Sequence, residues 1–359
     1  MNPSPSSDQQ ADQPVRVLVV DDSPTMRAVI GSCLRAAGDI QVVGEAGDPY
    51  EAREAIRRLS PDVITLDVEM PRMDGLDFLG RLMRLRPTPV IMISTLTFEA
   101  AEAAIRALEL GAFECIGKPI GGDLIKAFAD LPDLVRAAAK SKLRQAPEAR
   151  KPVAVQEIPS YRPNDNIVAI ESSTGGVEAL IQLISTFPAN CPPTVITQHI
   201  PASFSWRFAM RLDQNSAASV SEAVDGAPLL PGRVYLAPGG EYHLEVEKGP
   251  TPVCRLRAGD LHSGHRPSVD VLFQSVAKLG ANTVGVILTG MGKDGAEGLG
   301  AIRAAGGHTI GQDEATSIVY GMPRVAFETG AVETQLPLPA IAPEILRLCA
   351  ASGGIQRAG

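Results

Sequence analysis

Short apolar runs, each closed by a polar turn and followed by a segment of helical periodicity, recur along the 359 residues of this chain. That alternation limits what it can fold into more than any other feature. RVLVV (16–20) is one such run, and behind Pro24 the residues Met26, Val29, Ile30, Cys33 and Leu34 stand at helical spacing. QVVGEA (41–46), VITL (63–66), VIMI (90–93) and the stretch around FECIG (113–117) repeat the pattern with helical segments between them. Five such strands predict one doubly wound parallel sheet. The pattern resumes at NIVAI (166–170), TVITQ (194–198) and TVGVILTG (283–290). Between the first two of these, Val177, Leu180, Ile181 and Ile184 mark the apolar face of a helix packed on a sheet. The fold class expected is α/β, with two doubly wound parallel-sheet domains. RVYLAPGGEYHLEVE (233–247) and VCRLRAG (253–259) read as an inserted hairpin.

Between the two alternations, AKSKLRQAPEARKPVAVQEIPSYRPND carries basic residues and prolines with little apolar periodicity, so residues 139–165 read as a linker. The expected organisation is a polar, disordered tail over 1–14, domains over 15–138 and 166–350, and a short tail over 351–359. The N-terminus has neither the basic nor the apolar region of a secretory signal, and no run of about 18 apolar residues offers a membrane span. Cysteines 33, 115, 191, 254 and 349 stand far apart and make neither a disulfide framework nor a CxxC site, which suits a reducing cytoplasm. A net charge of −8, with 9 Phe, 5 Tyr and 1 Trp, argues against nucleic acid as a partner. Residues 166–359 carry 13 Lys and Arg against 17 Asp and Glu with no helix-turn-helix pattern, so a transcriptional output is disfavoured.

In open parallel sheets, ligands gather outside the carboxyl ends of the strands. In the first half those ends carry Asp21 and Asp22, Asp67, Ser94 and Thr95, and Lys118-Pro119. A lone Asp-Asp after a strand is usually a turn or helix cap. Three close carboxylates, however, repel one another unless a cation sits between them, and Mg²⁺ suits such a set of oxygen ligands. An aspartate there can act as nucleophile and form an acyl phosphate.

VVDDSPTMR (19–27), ITLDVEMPRMDGL (64–76), MISTLT (92–97) and ALELGAFECIGKP (107–119) resemble a response-regulator receiver domain. The resemblance implies Asp67 as phosphoacceptor, with Asp22 and Asp67 on Mg²⁺ and Asp21 reaching it mainly through water. It implies Ser94 and Lys118 on the phosphoryl oxygens, a cis peptide before Pro119, and a histidine kinase as phosphodonor. Three residues before the lysine, where many receivers carry a switching aromatic, this chain has Cys115.

In the second half, Ser173 follows the strand NIVAI in ESSTGG, His199 follows TVITQ, and Asp294 follows GVILTG in MGKDGAEG. By the strand-end rule, these three side chains face one cleft. A serine hydroxyl becomes a useful nucleophile when a histidine takes its proton, and an aspartate fixes the imidazole and stabilises its charged form. Each piece alone has a plainer reading: STGG as a helix N-cap, QHIP as a structural histidine, DGAEG as a turn. His265 in HSGHRPSVD is a rival histidine on a loop before a helix. The chain order Ser…His…Asp and the absence of a GxSxG elbow exclude the α/β-hydrolase pattern.

AIESSTGG (169–176), ITQHIPASFSWRFAMRLD (196–213), YLAPGG (235–240), HRPSVDVLFQSVA (265–277), ILTGMGKDGAEG (287–298) and QDEATSIVYGMPRVA (312–326) resemble the chemotaxis protein-glutamate methylesterases, the CheB family. That resemblance implies Ser173 as nucleophile, His199 as general base, Asp294 as its orienter, Thr174 as support for the histidine and the Met291 N–H as oxyanion donor. It implies no metal in this half. The substrates implied are glutamate γ-methyl esters on chemoreceptors, and receptor glutamines for deamidation by the same acyl chemistry. Phosphorylation in the first half is expected to uncover the cleft of the second. The family usually reads Gly-Ala-Ser-Thr-Gly-Gly at the serine turn, where this chain has a glutamate, Glu171, two residues before the nucleophile. A glutamate there is expected either to strain the turn or, if it points into the cleft, to repel an oxyanion. The alternative function that follows is a phosphorylation-controlled binding module with a weakened esterase site.

Overall fold

The computed structural model describes residues 13–70, 74–95, 97–118, 128–141 and 161–351. Most of the expected tails, the greater part of the expected linker and Pro119 with its expected cis peptide lie outside the described residues. Contacts divide the chain into two compact units, residues 1–96 with 110–147 and residues 97–109 with 148–359.

The first unit is built on β1 (Val15–Val20), β2 (Ile40–Ala46), β3 (Val63–Asp67), β4 (Val90–Thr95) and β5 (Glu114–Lys118). They form one sheet in the order β2-β1-β3-β4-β5, with every pairing parallel. All of β3 is buried, as a central strand covered on both faces requires. The helices are α1 (Pro24–Arg35), α2 (Pro49–Leu59), α3 (Gly75–Leu85) and, after β5, the helix Leu131–Lys140. Each of the first three starts at a side-chain cap: Ser23 Oγ accepts from the Met26 amide, Asp48 from Tyr50 and Glu51, and Asp74 from Leu76. A helix over Phe98–Glu109, α4, counts with the second unit by its contacts. The Leu131–Lys140 helix is therefore α5.

The main sheet of the second unit has seven strands: β6 (Ile167–Ser172), β7 (Thr194–Gln198), β8 (Ser219–Glu222), β9 (Arg233–Leu236), β12 (Thr283–Ile287), β13 (His308–Gln312) and β14 (Thr334–Leu336). Their order is β14-β13-β12-β6-β7-β9-β8, again parallel throughout. Both sheets are thus of the expected class. The inserted hairpin is smaller than the sequence suggests. Only β10 (Tyr242–Glu247) and β11 (Val253–Ala258) pair as its antiparallel arms. Arg233–Leu236 is instead β9, hydrogen-bonded on both sides to β7 and β8, and three of its four residues are buried. Its true partner β8, Ser-Val-Ser-Glu, is too short and polar to show as an apolar run.

Helices α6 (Gly176–Ile184), α7 (Ala202–Gln214), α8 (Val269–Ala277), α9 (Ala296–Ala304), α10 (Met322–Glu328) and α11 (Leu338–Leu348) complete this unit. One continuous core joins Val195 and Ile287 on the sheet to Leu272, Phe273 and Val276 on α8 and to Leu299 and Ile302 on α9. At Gly298 the two helices come so close that an added Cβ would lie 2.6 Å from Phe273 Cβ. No helix among the described residues is long and apolar enough to cross a membrane. Phe273 is fully buried in this core, so Phe273→Ala is expected to cost about 3–5 kcal/mol in urea unfolding. A loss under 1 kcal/mol would mean that the α8–α9 contact is not what holds the unit together.

Candidate active site and acidic pocket

The strands β12, β6 and β7 are neighbours, with Ile287 opposite Glu171 and Ser172 opposite Gln198. Their carboxyl ends therefore lie together, and Ser173, His199 and Asp294 leave from that edge. The Ser173 amide donates to the Thr289 carbonyl, and its carbonyl accepts from Gln198 Nε2 at 2.9 Å. Gln198 also takes a 2.5 Å bond from Ser172 Oγ and donates to the His199 carbonyl, so one side chain ties the ends of β6 and β7 together.

His199 Nε2 donates to Asp294 Oδ2 at 3.0 Å. That bond assigns the proton to Nε2 and leaves Nδ1 with its lone pair, buried and without a partner. The ring stacks on His265 at 3.8 Å between centroids, which places the rival histidine against the first one's face. Among the described residues no hydrogen bond joins Ser173 to His199, and bonds of this kind are often long until substrate is present. Thr174 is fixed through its carbonyl, which accepts from Thr289 Oγ1.

Asp294 is the most heavily bonded side chain of the group. Its Oδ1 accepts from Ser268 Oγ and the Asp270 amide, and its Oδ2 from the Val269 amide and His199. The two amides belong to the first turn of α8, whose positive end favours a carboxylate. Burial works against the charge, yet the bonds from His199 and the amides win and hold the Asp294 pKa at about 2. Gly295, at φ 90°, turns the chain from Asp294 into α9, a conformation that side-chain-bearing residues rarely adopt. Ser268 and the α8 amides are functional groups that the sequence reading missed, and backbone donors leave no mark in residue types.

Glu171 departs from both expectations made for it. Its backbone is regular β6 strand, paired with Ile287 and Thr197, so the turn is not strained there. Its side chain is fully buried rather than in an open cleft.

In the first unit, Lys118 Nζ lies 2.9 Å from Asp21 Oδ2 and 2.8 Å from Asp67 Oδ2. Asp22 joins them, with one oxygen of each carboxylate within 4.8 Å of the others. Lys118 balances only part of the charge of these three carboxylates, being paired with Asp21 and Asp67, and a hard divalent cation fits what remains. Burial raises the Asp67 pKa to about 6 even though Lys118 pulls it down. The same two carboxylates outweigh burial at Lys118 and raise its pKa. Ser94 is fully buried and donates to the Thr95 carbonyl. Cys115 is a buried thiol whose pKa burial pushes up.

Comparison with known proteins finds matches to both units. A family profile described as CheB methylesterase matches residues 168–345, and one described as response regulator receiver domain matches residues 17–130. A protein of Agrobacterium fabrum named protein-glutamate methylesterase/protein-glutamine glutaminase is 58% identical over 342 residues, 94% of this chain and 97% of that protein. One of Caulobacter vibrioides, named protein-glutamate methylesterase/protein-glutamine glutaminase 1, is 56% identical over 339 residues, 94% of this chain and 98% of that protein. The crystal structure of the Thermotoga maritima CheB methylesterase catalytic domain matches with a TM-score of 0.50 at 39% identity, covering 52% of this chain and 99% of that one.

A carboxyl group whose pKa falls on folding stabilises the fold above its unfolded pKa and loses that contribution as pH drops through the folded value. Asp294→Asn is therefore expected to cost about 2 kcal/mol near pH 7, with the deficit shrinking below pH 4 and gone near pH 2. Denaturant unfolding at several pH values checks this, and a deficit constant with pH would detach it from the Asp294 charge.

Proposed function

The chain belongs to the CheB methylesterase family, with a receiver domain ahead of the catalytic domain, and from that premise we propose phosphorylation-regulated hydrolysis of glutamate γ-methyl esters on chemoreceptors. The observation that carries the reading is the His199–Asp294 pair, with His199 Nδ1 buried and unpartnered at the edge from which Ser173 leaves.

Ser173 Oγ attacks the ester carbonyl carbon while its proton passes to His199 Nδ1. Asp294 keeps its charge and stabilises the imidazolium through Nε2. The carbonyl oxygen becomes an oxyanion, for which the Met291 N–H is the assigned donor, with Thr174 as support for His199. Collapse breaks the bond to methoxide, which takes the proton from His199 and leaves as methanol. Water then attacks the γ-glutamyl-Ser173 ester with His199 again as base, releasing the glutamate carboxylate and restoring the serine. A receptor glutamine follows the same course with ammonia as the leaving group.

In the receiver, Asp67 is the phosphoacceptor and a histidine kinase the donor. Asp21, Asp22 and Asp67 would hold Mg²⁺, which would supply neutralisation of charge on the transferring phosphoryl group. Lys118 and Ser94 are the side chains assigned to the phosphoryl oxygens. The setting proposed for this chemistry is the cytoplasm.

Ser173→Ala is expected to lower methanol release from methylated receptor by ~10⁴-fold or more, as loss of a triad nucleophile does. Near-normal turnover would remove Ser173 from the mechanism. With a small phosphodonor, wild-type turnover should rise and that of Asp67→Asn should not. Equal stimulation of both would place the phosphoryl group elsewhere.

A further inference from the structure

Glu171 is fully buried, and neither of its carboxyl oxygens has a hydrogen-bond partner. A buried ionised carboxylate without a partner is strongly unfavourable, so such a group keeps its proton instead. Burial first, then the negative charges of Asp294 and Asp270, push the Glu171 pKa well above the usual carboxylate range.

The carboxyl group occupies a defined place. A Cβ at Gly295 would run into Glu171 Oε2 and lie 2.6 Å from its Cδ. The acid therefore lies over the bare face of the residue that turns the chain out of Asp294. Asp294 faces it from the β12–α9 turn, and Asp270 faces it from α8. Behind them stand His199 on Asp294, His265 stacked on His199, and His262 4.0 Å from Asp270. His243 accepts from the Ser268 amide, next to the Ser268 hydroxyl that bonds Asp294.

We propose that Glu171 is a positioning residue of the catalytic site: as a proton-bearing acid packed over Gly295, it closes the turn that aims Asp294 at His199, and loss of its proton opens that turn. A second buried negative charge beside Asp294 must be hydrated, and the loop between β12 and α9 is what can move to admit water. At the same time the added charge favours the protonated form of His199, the wrong form for a general base. Glu171 is thus neither a strained substitution nor a charge in the cleft. It makes the alignment of Asp294 depend on a proton. The effect on turnover rests on the esterase reading, whereas the effect on His199 does not.

The test follows the ring carbons of the five histidines by NMR in the ¹³C-labelled full chain as pH rises, with His199 assigned by loss of its signal in His199→Gln. Wild type is expected to show a second step in the His199 signal as Glu171 loses its proton. Glu171→Gln, which keeps the shape and cannot ionise, is expected to lack it. Glu171→Gly, with the residue usual at this place in the family, serves as a second variant without the carboxyl group. The kcat of wild type should fall over the same pH range as that second step, and that of neither variant should. A wild type without the second step, or a folded variant that keeps it, overturns the proposal, since a side chain that merely fills space would leave the profile unchanged. A protein that shows the step yet releases no methanol sinks the esterase reading and leaves the role of Glu171 standing.

Discussion

Parallel pairing brings the carboxyl ends of neighbouring strands to one edge, and the chemistry assigned to both units depends on that constraint. In the second unit the neighbours are β12, β6 and β7, with Ile287 opposite Glu171 and Ser172 opposite Gln198. In the first they are β1, β3, β4 and β5, with Leu66 opposite both Val20 and Met92. A slip of one residue in either sheet would send alternate side chains to the wrong face and scatter the groups. Register is held because the central strands, β3 in the first sheet and β12, β6 and β7 in the second, are buried throughout, so a slip would also misplace the apolar cover of the helices.

The same side chain meets opposite fates at the two edges. Asp67 and Asp294 are almost equally buried, yet their pKa values lie at about 6 and about 2. Asp294 receives four donors, two of them amides at the end of α8. Asp67 shares its one lysine with a second carboxylate and receives one long bond from the Glu69 amide. A carboxylate that must stay charged while an imidazole cycles beside it needs the first environment. One that is to hold a cation and accept a phosphoryl group is better left short of donors.

The sequence made legible what apolar runs and strand ends encode. The core strands of both sheets, the acidic trio with Lys118, and the strand ends that bring His199 to Asp294 could all be read from it. It hid what depends on backbone groups or short polar stretches. β8 is only Ser-Val-Ser-Glu, and without it β9 had no visible partner on that side and read as part of the hairpin. The Val269 and Asp270 amides that hold Asp294 have no residue signature at all. The surroundings of Glu171 were equally hidden, because its neighbours Asp270 and Gly295 come from elements about 100 residues or more further along the chain. Only the packed structure shows that its carboxyl lies over Gly295 and not in an open cleft.

Topology also explains an order that chemistry leaves free. A nucleophile, a base and an orienting carboxylate can follow one another along a chain in any sequence, provided that they meet. Here the chain lays down β6, steps outward to β7, and continues through β8 and β9 on that side. It then crosses back to place β12 on the other side of β6. The serine therefore comes first and central, the histidine second on one flank, and the aspartate last on the other. In a doubly wound sheet such a reversal, here between β6 and β12, is where successive helices depart to opposite faces and where ligands bind. Asp294, held by the first turn of α8, leaves the sheet at that reversal, so the best-held charge of the site sits at the switch point of the fold.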